Sequence, residues 1–541
     1  MTNQFKLPRL YDMAVIVNPD RDHVAVAKQF IPAQTHLTLE APVTGSEGEE
    51  RLTVRADVPA GHRFAIREVP SGEWVRQYGH PFARSKGLKP GDPINDQTVA
   101  SEVPQVSAGE IEMEAPHLAP WEEPYPTFEG FHRPDGLVGT RNWILIVPVS
   151  MCAAHEASQI ALQAEVRGLY NRERMPNVDG VVAIPHDGGC GCPNAREGAA
   201  IPGVYEATLR MLAQHVRHPN VGGAILIELG CEKTNLAAFD TYFGTSDLGS
   251  LYGKPVHRLS IQALGGTRAT IEQGLALLPE LLATADRTQR SPAPASALSL
   301  GLECGGSDAF SGMTANPGLG EASDLLVRAG GRSVIGEVPE FFGAAHLFAA
   351  RATNRRLAAE ILEMLERYGG YAARAGHSMT ENPSPGNRAG GLLNITIKSL
   401  GALAKSGSAP VQGVMEYGEW VWDREDAGVY LLNTPGYDQL SVPGMVGAGC
   451  QIVCFTTGRG TGIGNAIAPV IKISSNTSLY DHMQADMDVN AGAVLTEGIS
   501  LPEMGRTIFE QILKAASGEQ TRAEENRHRE FALWNVEGLW L

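Results

Sequence analysis

Residues 181–192, VVAIPHDGGCGC, decide how this chain is expected to fold. The apolar run 181–184 predicts a short buried strand, and the glycine-rich segment after it predicts where that strand ends. His186, Cys190 and Cys192 follow directly. Because an open α/β sheet carries its chemistry at the carboxyl ends of its strands, these residues predict a metal or thiol site. The alternative is a tight turn whose small cysteines face the interior.

Two further predicted strands end in the same way. The apolar runs 143–147 and 224–229 precede Cys152 and Cys231, respectively. Helical stretches such as 157–169 and 204–215 separate the strands, and a helix is expected to begin near Ala195. In a parallel sheet all three thiol-bearing loops emerge at one edge, so residues that are scattered in sequence become neighbours in space. This expectation depends on the order of the strands, which the sequence does not give.

Composition and charge limit the classes of partner that this protein is expected to bind. The 541 residues include 44 Lys and Arg against 61 Asp and Glu, which gives a formal net charge of −17. No basic run is present, so we expect no binding to nucleic acid or to an anionic membrane. No apolar run approaches the roughly 20 residues that cross a bilayer, and residues 1–12 lack the apolar core of a signal peptide. We therefore expect a cytoplasmic protein that binds a small molecule.

The cysteine content is also consistent with the expected cytoplasmic location. Seven cysteines, an odd number, occur in a long chain without an export signal. This indicates reduced thiols rather than a disulfide framework. Such thiols serve as metal ligands, as nucleophiles or as small packing residues, and the sequence leaves these uses open.

The length predicts a multidomain α/β protein. Residues 1–105 contain short β-prone runs at 15–17, 24–27, 37–39, 52–54 and 64–66, and they resemble the SAF domain, a small β-clip fold. The acidic, proline-rich segment 106–128 is expected to be a linker, and residues 291–296 are expected to be a second linker or connecting loop. An α/β second domain with the thiol and histidine loops is expected over 129–290, and an α/β C-terminal domain over 291–541. Both domains are expected to contain largely parallel sheets.

The C-terminal part offers side chains that suit a hydroxylated carboxylic acid. A predicted strand over 298–302 runs into the loop 303–312, which carries a thiol and several polar groups. Arg459 suits bidentate contact with a carboxylate, and three amides suit hydroxyl groups, namely Asn382, Asn387 and Asn476. The alternatives are structural: Arg459 would brace its own loop, and Lys398, on a predicted helix, would face solvent.

Many ordered motifs together resemble the altronate and galactarate dehydratase family. They span nearly the whole chain and are HRPDG at 132–136, GTRN at 139–142, the loop 186–192, GLECGGSD at 301–308, TANP at 314–317, NPSPGN at 382–387, KSLG at 398–401, TPGYD at 434–438, FTTGRG at 455–460 and SNT at 475–477. The SAF-like N-terminal module adds to the resemblance.

The resemblance implies a lyase that dehydrates a sugar acid to its 2-keto-3-deoxy product with the help of a divalent metal, Fe(II) or Mn(II). On this basis the metal is placed at His186, Cys190, Cys192, Cys231 and Glu232. His186 and Lys398 are the catalytic candidates, with Lys398 as base or acid. A homodimer is expected, and the substrate contacts are assigned to Ser307, Asp308, Asn382, Asn387, Arg459 and Asn476.

The chain departs from the family pattern at three places. Residues 95–98, NDQT, stand where a histidine-rich motif is expected at the end of the SAF module. Thr396 and Ile397 replace two glutamates before Lys398, and Asn433 replaces an aspartate. Loss of carboxylates near a catalytic lysine is expected to change its pKa and, with it, the choice of substrate.

Three alternatives follow from these observations. One is a lyase of the same fold that eliminates another group, for example sulfite from sulfolactate. Another is a binder of sugar acids without catalytic activity. The third is an iron-sulfur dehydratase that would use Cys152, Cys190, Cys192 and Cys231 as cluster ligands.

Overall fold

The protein is described by a computed structural model over residues 7–39, 50–106, 108–114, 116, 118–122, 124–192, 204–243 and 250–535. The helix start expected near Ala195 lies outside these residues. No helix among them is both long enough and apolar enough to span a membrane.

The N-terminal module consists of short antiparallel strands. They are β1 Ala14–Val15, β2 Val24–Ala27, β3 His36–Leu39, β4 Glu50–Thr53, β5 Arg63–Ala65, β6 Trp74–Gln77, β7 His80–Ser85 and β8 Val99–Ala100. Three small sheets result, with the orders β1-β2-β5, β3-β4 and β6-β7-β8. Leu37, Val54 and Phe64 are fully buried between them. The short helix Leu10–Met13 precedes β1.

The hairpin β6–β7 is absent from the sequence prediction. Gln77 pairs with His80, so Tyr78 and Gly79 form a two-residue turn, and both have positive φ. This is the geometry of a type I′ turn, which usually carries Asn-Gly. The tip reaches the C-terminal part, because a Cβ atom on Gly312 would lie 2.4 Å from the Tyr78 hydroxyl.

The next strands are β9 Thr127–His132, β10 Val138–Gly139, β11 Trp143–Pro148, β12 Gly180–Ala183, β13 Val221–Glu228, β14 Ser250–Leu251, β15 Lys254–Ser260 and β16 Arg290–Pro294. A five-stranded sheet has the order β12-β11-β13-β15-β14, parallel except for β14. Its helices are Ala154–Val166, Val204–Arg217, Leu236–Phe243, Ile261–Leu264 and Thr267–Asp286.

A separate antiparallel sheet, β10-β9-β16, corrects one expectation. The prolines within residues 291–296 favour a connecting loop, but residues up to Pro294 form the edge strand β16 along β9. Proline is tolerated there because an edge strand has one side without ladder hydrogen bonds.

The C-terminal part forms a seven-stranded parallel sheet with the order β19-β20-β18-β17-β21-β22-β23. Its strands are β17 Ser299–Cys304, β18 Arg332–Ile335, β19 Val411–Met415, β20 Gly428–Leu432, β21 Ile452–Thr457, β22 Val470–Ser474 and β23 Val489–Asn490. The helices are Ala315–Arg328, Ala345–Ala350, Arg355–Arg374, Pro385–Ala389, Ile395–Leu403, Asp438–Gly447, Thr477–His482, Ala493–Thr496, Leu501–Ala516 and Arg522–Glu525. The central strands are buried, as expected for a parallel sheet covered on both faces.

One apolar core joins the five-stranded and seven-stranded sheets. Within it, the helices Val204–Arg217 and Asp438–Gly447 pack in the same direction. His215 lies beside Gly447, and the His218 ring contacts the Cys450 carbonyl oxygen at 3.1 Å. Each helix begins after the carboxyl end of a strand, so the carboxyl edges of both sheets lie on the same side of the molecule.

The motif at 139–142 has an architectural role in this arrangement. The Arg141 guanidinium is buried and donates two hydrogen bonds to the Glu524 carboxylate, at 2.6 and 2.7 Å. It also donates to the Ala515 carbonyl oxygen. Arg141 of this motif thus fixes the C-terminal helices against the sheet that contains β11.

Candidate active site

The three thiol-bearing loops share one sheet edge, as the sequence predicts. β11 lies between β12 and β13, and all three strands are parallel. Cys152, Cys190 and Cys231 therefore emerge side by side, and all three are exposed free thiols.

His186 is buried in its loop with both ring nitrogens engaged. Nδ1 accepts a hydrogen bond from the Gly188 amide at 3.1 Å, so Nε2 carries the proton and donates to the Pro148 carbonyl oxygen at 2.8 Å. Burial lowers the pKa of His186, which favours this neutral form. In this geometry His186 orders the turn and presents no nitrogen to a metal or a substrate.

Cys192 and Glu232 are engaged in a similar way. Cys192 is buried, and its thiol donates to the Gly189 carbonyl oxygen at 3.2 Å. The Glu232 carboxylate accepts hydrogen bonds from the amides of Leu229, Gly230 and Cys231 and from the Ser150 hydroxyl. These two residues hold the loops in place, and only two members of the predicted ligand set, Cys190 and Cys231, present exposed side chains.

A second cluster lies at the carboxyl edge of the seven-stranded sheet. Glu303 belongs to β17, Glu337 and Glu340 follow β18, and Asp438 begins the helix after β20. One carboxylate oxygen from each of Glu303, Glu337 and Asp438 lies within 4.8 Å of the others. The Lys405 ammonium group lies between two of these carboxylates, 3.0 Å from Glu337 and 3.0 Å from Glu340.

The charges of this acidic cluster do not balance. Four carboxylates face two ammonium groups, those of Lys398 and Lys405, so full ionisation leaves 2 − 4 = −2. Burial, followed by Glu340, raises the pKa of Glu337 to about 8, and the pKa of Glu303 is also raised well above its usual range. One Glu303 oxygen, Oε1, is buried without a hydrogen-bond partner. The cluster therefore binds protons at neutral pH or accepts a cation.

Lys398 reaches this cluster from its mouth. Its ammonium group lies 3.2 Å from Glu340 and donates to Asn382 Oδ1 at 3.2 Å, and its side chain is 12% exposed. Burial lowers the pKa of Lys398, but the carboxylates of Glu340 and Glu337 outweigh it and leave the pKa raised. The charged ammonium form is favoured, which suits a proton donor better than a base.

The altered positions before Lys398 do not remove its carboxylate partner. Thr396 and Ile397 are buried, whereas Lys398 turns towards Glu340. Adjacent residues of a helix face different directions, so the two positions directly before Lys398 do not lie beside its ammonium group. The carboxylate that does, Glu340, belongs to the turn Val338–Phe341. Asn433 donates to Glu416 at 2.7 Å.

Residues 95–98, where a histidine-rich motif was expected, form a turn that is stabilised by local hydrogen bonds. The Asn95 side-chain oxygen accepts from the Gln97 amide at 2.9 Å, and the Thr98 hydroxyl donates to the Pro93 carbonyl oxygen at 2.7 Å.

Four of the six predicted substrate contacts lie in one network. The Asp308 carboxylate accepts from the Ser475 hydroxyl at 2.8 Å and from the Asn476 amide at 3.1 Å. The Asn387 amide donates to the Ser307 carbonyl oxygen at 2.8 Å, and the Ser307 hydroxyl contacts the Cys304 sulfur at 2.7 Å. These side chains are engaged in hydrogen bonds within the protein and shape the walls of the site.

Arg459 differs from that network because its guanidinium group has no partner among the described residues. It is exposed and lines a cavity of about 650 Å³ between the N-terminal module and the C-terminal part. Asp308, Asn476 and Lys28 line the same cavity.

Two adjacent glycines connect this cavity with the acidic cluster. A Cβ atom on Gly305 would lie 2.2 Å from an Asp438 carboxylate oxygen, and one on Gly306 would lie 3.3 Å from Arg459 Cβ. The arginine and the acidic cluster therefore lie on two sides of one dipeptide, which must be free of side chains.

The sequence prediction omitted most of the acidic cluster, namely Glu303, Glu337, Glu340, Lys405 and Asp438. The signal was available, because the four carboxylates follow or end predicted strands in the same way as the thiols do. Lys405 gave no such signal, since it lies in a short 3₁₀ turn after the helix Ile395–Leu403.

An N-terminal β module, two parallel sheets with carboxyl edges on one side and a buried carboxylate–ammonium cluster define this chain as an α/β enzyme. Three family models match it: the altronate/galactarate dehydratase SAF domain at residues 13–102, the D-galactarate dehydratase/altronate hydrolase second domain at 130–286 and the D-galactarate/altronate dehydratase C-terminal domain at 295–538. The chain belongs to the altronate/galactarate dehydratase family.

Relatives of known activity agree with this assignment. Altronate dehydratase of Bacillus subtilis (strain 168) is 33% identical over 89% of this chain and 92% of its own length. Galactarate dehydratase (L-threo-forming) of Escherichia coli (strain K12) is 34% identical over 91% of this chain and 92% of its own length. The beta subunit of (2R)-sulfolactate sulfo-lyase of Chromohalobacter salexigens is 32% identical over 75% of this chain and 97% of its own length.

Proposed function

We propose that this protein is a hydro-lyase that removes water from a sugar acid to give a 2-keto-3-deoxy acid, and that the reaction takes place at the acidic cluster. The observation that carries the proposal is the buried set of four carboxylates and two ammonium groups at the carboxyl ends of β17, β18 and β20. Removal of a proton next to a carboxylate creates a second negative charge, which must be stabilised within the site.

A divalent metal fits the acidic cluster. Glu303, Glu337 and Asp438 offer oxygen atoms within 4.8 Å of one another, and Glu303 Oε1 lacks a partner. A charge of +2 would balance the uncompensated charge of −2. Oxygen ligands suit Mn(II), and the family resemblance adds Fe(II). This placement replaces the set of His186, Cys190, Cys192, Cys231 and Glu232. The bound metal would supply a positive charge for the enediolate.

Lys398 is proposed as the group that gives a proton to the departing C3 hydroxyl. Its raised pKa keeps it charged. It lies at the mouth of the cluster and is the more exposed of the two lysines. Lys405 is fully buried and holds Glu337 and Glu340 in place. His186 has no proposed catalytic role, because both its nitrogens are engaged.

Arg459 is proposed to bind the substrate carboxylate. A planar guanidinium group forms two parallel hydrogen bonds with a carboxylate, and this one is exposed in a cavity large enough for a sugar acid. A substrate held there would extend past Gly305 and Gly306 towards the acidic cluster. Four of the predicted contact residues would shape the walls of the site instead of each binding a substrate hydroxyl group, namely Ser307, Asp308, Asn387 and Asn476. Asn382 would position Lys398.

The test is formation of a 2-keto acid from a panel of aldonates, aldarates and smaller hydroxy acids, with Fe(II) or Mn(II) under anaerobic conditions. Turnover of at least one sugar acid is expected. Tight binding of a sugar acid without any product would contradict the proposal and favour a non-catalytic binder.

A sulfo-lyase is the second candidate, because one relative of that activity is 32% identical. The dehydratase relatives align with 89% and 91% of this chain, against 75% for the sulfo-lyase subunit, which favours the dehydratase. Release of sulfite from sulfolactate, measured directly in the same panel, would reverse this preference.

Replacing Arg459 with alanine is expected to raise KM by roughly 10- to 200-fold, because a charged hydrogen bond to the substrate contributes about 1.5–3 kcal/mol. Stability should hardly change, since the side chain is exposed and its guanidinium group has no partner in the described part of the chain. Steady-state kinetics measure KM, and the exposed Arg388→Ala variant is the matched control. An unchanged KM would place the carboxylate elsewhere.

Metal binding is expected to strengthen as pH rises towards 8, by roughly tenfold per pH unit for each proton displaced. The pKa of Glu337 is about 8 when folded and near 4.5 otherwise, so the metal-free fold binds more protons between these values. Its stability should therefore fall as pH rises from 4.5 to 8, while added Mn(II) should restore it. Calorimetry in buffers of different ionisation enthalpy measures the released protons, and pH-independent binding would contradict this.

Three finer expectations remain predictions from the sequence. They are the division of the α/β part into domains at 129–290 and 291–541, the cytoplasmic location and the homodimer. The two parallel sheets support the first of these.

A further inference from the structure

A second cavity, of about 280 Å³, lies at the edge of the sheets opposite to the acidic cluster. Trp143 is the first residue of β11, Asp179 directly precedes β12, and residues 465–468 precede β22, and all of them line this cavity. The cavity thus lies at the amino ends of strands from both parallel sheets. Because β11 has six residues, each about 3.3 Å long, roughly 20 Å separate the two edges. The proposed dehydration does not use this cavity.

The charged side chains of the cavity lining form ion pairs with one exception. Three arginines and three carboxylates line it, namely Arg172, Arg527, Arg529, Glu165, Asp179 and Glu524. Glu165 pairs with Arg527 at 2.6 Å, and Asp179 lies 3.6 Å from Arg172. The third carboxylate, Glu524, pairs at 2.6 Å with the buried Arg141. These pairs leave the positive charge of Arg529 uncompensated among the charged groups of the lining.

Arg529 is positioned by an aromatic ring. Its guanidinium carbon lies 5.3 Å from the centre of the Trp143 ring, and Trp143 is itself nine-tenths buried. Within the ranges that the structure describes, this guanidinium group has no hydrogen-bond acceptor and no ion-pair partner. A ring face attracts a guanidinium group but leaves its N–H groups without acceptors. The N–H groups of Arg529 are therefore available to a ligand in the cavity.

Asn465 supplies a second donor without a partner. Its side chain is buried, with only 5% of the residue exposed, and the amide nitrogen Nδ2 has no hydrogen-bond partner. The side-chain oxygen accepts from the Ile467 amide at 3.0 Å and from the Ala468 amide at 3.2 Å, which fixes the orientation of the side chain. Buried donors are almost always paired, so an unpaired one on a cavity wall indicates an acceptor from outside the chain.

The chemistry of these donors selects the ligand. A planar guanidinium group forms two parallel hydrogen bonds with a carboxylate, and the Asn465 amide adds a further donor. One uncompensated positive charge balances one carboxylate, whereas a doubly charged phosphate group would leave an excess of negative charge in the cavity. A volume of about 280 Å³ admits a short organic acid.

We propose that Arg529 and Asn465 bind the carboxylate group of a small organic acid in this second cavity. The inference goes beyond the proposed function, because the cavity lies at the amino edge of the sheets and shares no lining residue with the cavity that contains Arg459.

Isothermal titration calorimetry of the full chain with propionate tests the proposal. The Arg459→Ala chain is used beside the wild type, because it lacks the group proposed to bind a carboxylate in the active site. Propionate is expected to bind this variant at one site per chain. Propionamide has the same shape without the charge, so it is the matched control ligand and should not bind.

Two substitutions in the Arg459→Ala chain locate the binding. Arg529→Gln removes the charge and is expected to raise the Kd of propionate at least about tenfold, since a charged hydrogen bond is lost. Asn465→Asp keeps an acceptor for the Ile467 and Ala468 amides but replaces the donor with a carboxylate, so a loss of the same size is expected. Arg506→Gln, at an exposed arginine on the helix Leu501–Ala516, is the control and should leave the Kd unchanged.

Four outcomes would overturn the proposal. They are equal binding of propionate and propionamide, an unchanged Kd in Arg529→Gln, tighter binding of inorganic phosphate than of propionate, and loss of all propionate binding in Arg459→Ala. The last outcome would place the binding in the active site and leave the proposed dehydratase intact. Conversely, failure of every sugar acid to give a keto acid would not affect propionate binding. Circular dichroism of each variant separates loss of binding from loss of the fold.

Discussion

Replacing Lys398 with methionine is expected to lower kcat by roughly 10²- to 10⁴-fold, the usual contribution of a positioned proton donor. The ammonium group lies at the mouth of the acidic cluster, 3.2 Å from Glu340, and no second lysine is exposed there among the described residues. The fold should survive, because Glu340 keeps its ion pair with Lys405 at 3.0 Å. Pre-steady-state and steady-state rates of keto-acid formation measure the loss.

Two variants make this result specific. Lys398→Arg keeps the charge but holds its proton too firmly to give it up, so it should bind substrate with nearly unchanged KM and still lose kcat. Lys514→Met, on the exposed face of the helix Leu501–Ala516, is the control for the same substitution elsewhere. If Lys398→Met kept more than a tenth of the wild-type kcat, Lys398 would be a positioning residue.

Lys405→Met is expected to lower the free energy of unfolding by about 3–5 kcal/mol, the cost of leaving a buried charge without its partner. Glu337 and Glu340 are both buried beside this ammonium group, and only Glu340 also pairs with Lys398 among the described residues. The loss should be greater at pH 8 than at pH 5, because protonated carboxyls need no cation. Denaturant-induced unfolding at the two pH values measures it.

A second change provides the control for Lys405. At pH 8, where Glu337 is about half ionised, Glu337→Gln removes part of the negative charge that Lys405 balances, so at that pH the double variant Lys405→Met with Glu337→Gln should recover part of the lost stability. Full additivity of the two single effects would show that the pair does not interact and would contradict the assignment.

The fold could be predicted where apolar residues run continuously or recur with a helical period. The strands at 143–147 and 224–229 and the helix at 204–215 follow this rule, and the structure has β11, β13 and Val204–Arg217 at these places. The hairpin β6–β7 was missed because Tyr78 occupies the first position of a two-residue turn, where asparagine is the residue that usually indicates such a turn. β16 was missed because its prolines indicate a loop unless the strand lies at an edge.

The candidate site was harder to predict than the fold. The sequence correctly placed three thiol loops at one edge, but the bonds of His186 to Pro148 and Gly188 depend on the approach of two loops in space. The same applies to Lys398, whose carboxylate partner lies 58 positions earlier, at Glu340. Local sequence changes at Thr396 and Ile397 therefore say little about the charge that surrounds this lysine.

The hairpin tip of the N-terminal module has a consequence for how such chains evolve. Tyr78 inserts where Gly312 and Gly401 leave room for its hydroxyl group, and Arg63 is buried against the Gly391 carbonyl oxygen. A recombination event that exchanged this module for a foreign one would have to bring both glycines along, although they lie more than 200 positions downstream. The module is a separate unit in sequence, but its inheritance is tied to the C-terminal part.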